Sequence, residues 1–159
     1  MSIRPHPHRL PRARIDPIVD PSTALRLVRA AMALPPRPET IVVLLDDAHR
    51  GIAIVSVDGT PDPDQVVAVV ECLAIPALVE SDLAVMIVAS VRPGDGIVDG
   101  DGDRWFEMCD VAEHSGAEIV EWFVLGRAAD SGTPTGAVSC PRDLVGVPPR
   151  WPTPDARPA

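Results

Sequence analysis

The sequence predicts an α/β (α+β) fold: a mixed β-sheet opened by an N-terminal β-hairpin and flanked by helices. Three observations lead there. Two apolar runs, TIVVLLD at 40–46 and GIAIVSV at 51–57, are separated by only four residues, the spacing of antiparallel neighbours. Two further runs, LAVMIVAS at 83–90 and EIVEWFVL at 118–125, have the length and β-branched content of buried strands. Each of these is preceded by a segment of helical period, so the order reads helix, strand, strand, helix, strand, helix, strand. Because crossovers are right-handed, only a few topologies remain.

The elements follow in order. Residues 1–19 hold Pro5, Pro7, Pro11 and Pro17 with no hydrophobic period, and read as a disordered or loosely docked basic arm. A single domain is expected over 20–127. Asp20-Pro21-Ser22-Thr23 is a helix start, with capping side chains and a proline in the first turn. That helix runs to about residue 33, with Leu25, Val28 and Met32 on one face, and PPRP at 35–38 stops it. After the hairpin, Asp58-Gly59-Thr60-Pro61 makes a turn. Residues 63–79 read as a helix with Val66, Val70, Leu73 and Ala77 inward, Asp62 or Asp64 at its start, and Pro76 kinking or ending it. The strand at 83–90 runs into a Gly/Asp/Pro loop at 91–103, then a helix at 104–115 stopped by Gly116, then the last strand. Residues 128–159, rich in proline and glycine, are expected to wrap the surface, with Trp151 as an anchor.

Composition narrows the function classes. A chain of 159 residues suits one core with tails. No run approaches the apolar length of a membrane span, and MSIRPHPHRLPRAR at the start has no apolar core, so a cytoplasmic protein is expected. Cys72, Cys109 and Cys140 are odd in number and lack CxxC spacing, which suits reduced thiols. Tyr, Lys and Asn are absent. Their AT-rich codons point to a very GC-rich genome of the actinobacterial kind, and no lysine is present for Schiff-base or P-loop chemistry. The net charge of -9 is uneven: residues 1–15 carry four arginines and no acid, leaving ten arginines against 23 acids elsewhere. Such an acidic body repels phosphate, so nucleic acid is not an expected partner except through the arm. On that arm His6 and His8 form an HxH pair with no third ligand.

Particular residues then resemble the RadC-like branch of the JAB/MPN (JAMM) metalloprotease fold. The matching pieces are VLLD at 43–46, Arg50 with Ile52, Gly59-Thr60, VASVRP at 88–93, Asp103 ten residues after Pro93, and GAEIVEWFVLG at 116–126. The resemblance covers about 39–127 and implies cytidine-deaminase-like layering. With Pro93 as anchor, it puts the two zinc-binding histidine positions on Ser90 and Arg92, the loop serine on Gly100 and the general base near Ile54. Of the family's functional set only Asp103 carries over. Zinc hydrolysis needs about three strong protein ligands, an open water position and a base. A guanidinium has no lone pair to give and repels the metal. The resemblance therefore implies a pseudoenzyme without catalytic residues or cofactor, acting as an interaction or regulatory module. Its expected partner is another protein, and a homodimer is a further possibility.

The loop after the third strand carries the remaining candidates. Ser90, Arg92, Asp95 and Asp103, with glycines 94 and 96, could form a pocket for a carboxylate, a phosphate or another small ligand, and so serve a binding protein or an atypical hydrolase. The competing reading pairs Arg92 with a nearby aspartate. Asp99, Asp101 and Asp103 have the D-x-D-x-D opening of a calcium loop, with Asp110 at its twelfth position. Arg104 stands where that loop needs glycine, and the alternative is that these acids complement the start of the following helix. Cys109 and His114, five apart, fall on different helix faces. Neighbours Trp122 and Phe123 should face opposite sides of the last strand, one of them under the C-terminal segment.

Overall fold

The computed structural model describes residues 9–78, 81–126 and 136–153. Helix α1 spans Pro21–Ala31, and the carboxylate of Asp20 caps it by accepting from the Thr23 amide at 2.8 Å. Strands β1 (Glu39–Leu45) and β2 (Gly51–Asp58) form the expected hairpin. Helix α2 (Gln65–Ala74) tightens into a 3-10 turn over Ile75–Leu78, where Pro76 can no longer donate to the α-helical ladder. Strand β3 (Val85–Val91), helix α3 (Asp101–His114) and strand β4 (Glu118–Gly126) complete the predicted order. Helix α3 starts three residues before the expected position. Gly100 turns the chain through a left-handed φ of 88°, so Asp101 already sits in the first turn.

The five strands lie in the order β2-β1-β3-β4-β5, with a short β5 at Ala137–Ser139. Only β3 and β4 are parallel; the other neighbours are antiparallel. Alternation in β1 and β3 splits the core into two layers. Ile41, Val43, Ile87 and Phe123 pack under α1 through Ala24 and Val28. Val42, Met86, Val88 and Trp122 face α2 and α3 through Val70, Trp105 and Met108. The sheet is thus covered on both faces, which explains why β3 is buried throughout and apolar except for Ser90. Among the described residues, no helix is long and apolar enough to cross a membrane.

The tails refine the sequence reading. Residues 1–8 of the arm lie outside the described residues, but its remainder is docked. Arg14 donates to the Gly51 carbonyl and Ile18 to that of His49, both at 2.8 Å, and the Ile18 side chain is buried. The C-terminal segment does more than wrap. It supplies β5 on the edge of β4, then a 3-10 helix at Pro141–Val145. Trp151 packs against Phe123, the rings tilted by 31° with centroids 6.5 Å apart, and Phe123 is the residue of the aromatic pair that needed a cover.

Candidate functional site

The site gathers where β3 ends. Arg92 extends the strand by donating its amide to the Leu125 carbonyl at 2.8 Å, and the chain then folds back over Gly126. A Cβ at Gly126 would run into the backbone of Asp95 and Gly96, so only glycine lets the loop close this tightly. This closure turns Arg92 inward. Its guanidinium forks onto Asp101, Nη1 to Oδ2 at 2.7 Å and Nη2 to Oδ1 at 3.1 Å. It also donates to the Gly96 carbonyl at 3.1 Å and lies 5.7 Å from the centre of the Trp122 ring.

Asp101 is the hub. Its side chain is completely buried and accepts from the Val98 amide at 2.8 Å and from Arg104 Nη1 at 3.0 Å, as well as from Arg92. Arg104 continues outward to Asp64, just before α2, at 2.8 Å. Burial works against the Arg104 cation, but its bonds to Asp64 and Asp101 outweigh that and raise its pKa. Two guanidiniums against two carboxylates leave the cluster formally neutral, and each buried charge has partners.

Beside this network runs a row of neutral polar groups. Ser90 Oγ accepts from Trp122 Nε1 at 3.0 Å. Thr40, opposite Ser90 in the sheet, shares a 2.9 Å hydrogen bond with Thr60. Side-chain hydrogen bonds thus tie β3 to β4 through Ser90 and Trp122, the end of β3 to α3 through Arg92 and Asp101, and α3 to the start of α2 through Arg104 and Asp64.

Of the residues singled out in the sequence, the structure brings together Ser90, Arg92 and Asp101. Asp95, Asp99 and Asp103 are exposed, and of these Asp99 joins the network through its backbone carbonyl, which accepts from Arg104 Nη1 at 2.9 Å. Of the calcium-like run, only Asp101 is buried; Asp99 and Asp103 are at the surface. Two guanidiniums occupy the Asp101 carboxylate, and no group of three or more His, Cys, Asp or Glu among the described residues could hold a metal. A dication does not fit between Arg92 and Arg104. Cys109 is buried, its thiol pushed up to about 11 by desolvation. His114 turns its Nδ1 to the Asp110 carbonyl instead. Two clefts lie elsewhere, an apolar one of about 150 Å³ beside β2 and a polar one of about 510 Å³ lined by Asp46, Arg50 and Asp82. Neither is lined by Ser90, Arg92, Asp95 or Asp103.

A second buried ion pair was not anticipated from sequence. Glu121, 1% exposed in the middle of β4, accepts from Arg142 Nε at 2.6 Å. Desolvation pushes its carboxyl above the usual range, despite the opposing pull of Arg142. The available signal was an acid inside an otherwise apolar strand, which requires a cation from elsewhere. Glu39, the first residue of β1, is also buried and accepts from two neutral donors, the Ala33 amide at 2.8 Å and Ser56 Oγ at 2.9 Å.

The sequence matches no protein-family model, and no curated protein matches it. Among the described residues, Arg92 and Asp101 clamp α3 and the loop to the end of β3, and Ser90 with Trp122 ties β3 to β4.

Proposed function

We propose that this chain is a non-catalytic, RadC-like JAB/MPN module of the cytoplasm that works by binding another protein. The observation that carries the reading is the state of Arg92. At a position where the resemblance expects a zinc-binding histidine, a guanidinium is forked onto a buried aspartate and stacked on Trp122. At the other histidine position, the Ser90 hydroxyl is held by Trp122 Nε1. The element order through β4 and the two covered sheet faces also agree with what the resemblance implies. Zinc does not fit this set: one position is cationic, and Asp103 stands exposed.

The test is metal analysis of the purified chain together with peptidase and isopeptidase assays. The expected result is no stoichiometric zinc and no turnover above background. Tightly bound zinc with hydrolytic activity overturns the reading.

A further inference from the structure

We propose that His49 is a pH-sensitive latch: neutral, it holds the N-terminal arm on the tip of the β-hairpin, and protonated, it lets the arm go. This concerns how the arm is held and does not rest on the proposed loss of zinc chemistry. The arm is bonded to the hairpin turn at three successive residues. Ile18 donates its amide to the His49 carbonyl and Arg14 to that of Gly51, both at 2.8 Å, and Pro17 bridges to Arg50 between them. The Ile18 side chain, 1% exposed, joins the core under α1.

The turn is left-handed at His49, with φ 60°. The ring is half-buried, and its Nδ1 is shielded from water with no hydrogen-bond partner among the described residues. A neutral imidazole tolerates this, because Nδ1 then carries only an unused lone pair. An imidazolium does not, because both of its nitrogens are donors and a buried charged N–H needs an acceptor. Burial accordingly holds His49 below the ordinary histidine value of 6.5, against the pull of Glu118 and Asp46.

The charges of the surrounding elements are mostly engaged elsewhere. On the hairpin, Asp46 accepts from the amides of Ala48 and Arg50 and from Arg50 Nε. On the arm, Asp16 is held by Arg12 at 2.9 Å, and Arg14 reaches Asp82 at 3.6 Å. At the start of β4, Glu118 lies 3.7 Å from Arg150 Nε. Beside the turn, however, Asp46, Asp47 and Asp82 line the polar cleft of about 510 Å³. An imidazolium that turns into this cleft gives up its shielded place in the turn and competes with Arg14 for Asp82. Both effects loosen the arm, and its release opens the apolar cleft that Pro11 and Ile18 line together with Leu27 and Ile52. Docking is at full strength above the ordinary histidine value and weakens as pH falls below it, towards the lower value of the docked state.

Amide hydrogen exchange of the full chain, followed by NMR and corrected for the intrinsic pH dependence of exchange, tests this at pH 7.5 and pH 5. The amides of Arg14 and Ile18 should open several-fold more at pH 5, a single proton limiting the change to about tenfold per pH unit. The amides of Ile87 and Val88 in β3 should not change. In His49→Asn, whose side chain accepts the left-handed turn and cannot titrate, the arm should open equally at both pH values. Linkage gives a second measurement that leaves His49 in place. Ile18→Ala weakens the apolar hold of the arm, and the imidazole titration of His49 should then move up towards 6.5. Arm amides that open equally at both pH values in the wild type overturn the proposal, as does the same pH response in His49→Asn. A His49 titration that Ile18→Ala leaves unmoved overturns it as well, and decides alone where the Asn variant fails to dock the arm at either pH.

Discussion

Arg92 and Asp101, nine residues apart, meet as a two-pronged ion pair beneath the loop that separates them, with the carboxylate fully buried. Buried pairs of this kind are asymmetric in their energetics. Replacing both partners together can be neutral, whereas removing one strands the other charge away from water. Asp101→Asn leaves Arg92 and Arg104 facing an amide, and should cost about 3 kcal/mol in urea unfolding. Arg92→Met with Asp101→Leu should cost clearly less than the two single changes added together. Additive costs would mean that the pair is not coupled.

Ser90 and Trp122 give a smaller, spectroscopic prediction. The indole N–H has Ser90 Oγ as its buried partner at 3.0 Å. Ser90→Ala removes the acceptor and keeps the packing, so stability should fall by about 1–2 kcal/mol, the cost of an unsatisfied buried donor. Tryptophan emission should shift to the blue, because the excited indole loses a polar contact. An unshifted spectrum would argue against this hydrogen bond.

How much of this was legible in the sequence follows from the range of each interaction. The hairpin, the three helices and β4 are encoded by local periodicity and caps, and Asp20 caps α1 as its sequence context predicts. The pairing of Arg92 with an aspartate was legible as one of two readings, because the loop offered several acids nearby. Which acid was not legible. That depends on Gly126 letting the loop fold over β4 and on Gly100 turning Asp101 inward, two backbone effects separated by many residues. The short β5 was missed for a similar reason. Three residues carry no period, and their strand character comes from the unpaired edge of β4.

The three thiols should differ in reactivity. Burial raises Cys109 to about 11 and Cys140 to about 12, so both stay protonated near neutral pH, and alkylation proceeds through the thiolate. Cys72 on α2 is exposed. Iodoacetamide at pH 8 should therefore add one group to the native chain, at Cys72 by peptide mapping, and three after denaturation. Rapid native modification of Cys140 would show that the C-terminal segment opens readily, since Cys140 lies just before the 3-10 helix that carries Arg142.

The Glu121–Arg142 pair links that segment to pH. Desolvation raises the Glu121 carboxyl above its unfolded value, and the Arg142 bond only partly offsets this. The folded state then holds its proton more tightly than the unfolded chain does. By linkage, the stabilisation from Glu121 is fully present below the ordinary glutamate range and is lost as pH rises through the raised folded value. Arg142 stays charged throughout, its own pKa raised by Glu121 in spite of burial. Glu121→Gln keeps an acceptor for Arg142 Nε but cannot titrate. Subtracting its unfolding free energy from that of the wild type, measured in urea from pH 4 to pH 7.5, should therefore give a difference that declines as pH rises. A difference that grows with pH would mean that the Arg142 bond dominates and that Glu121 is better held as a carboxylate than as an acid.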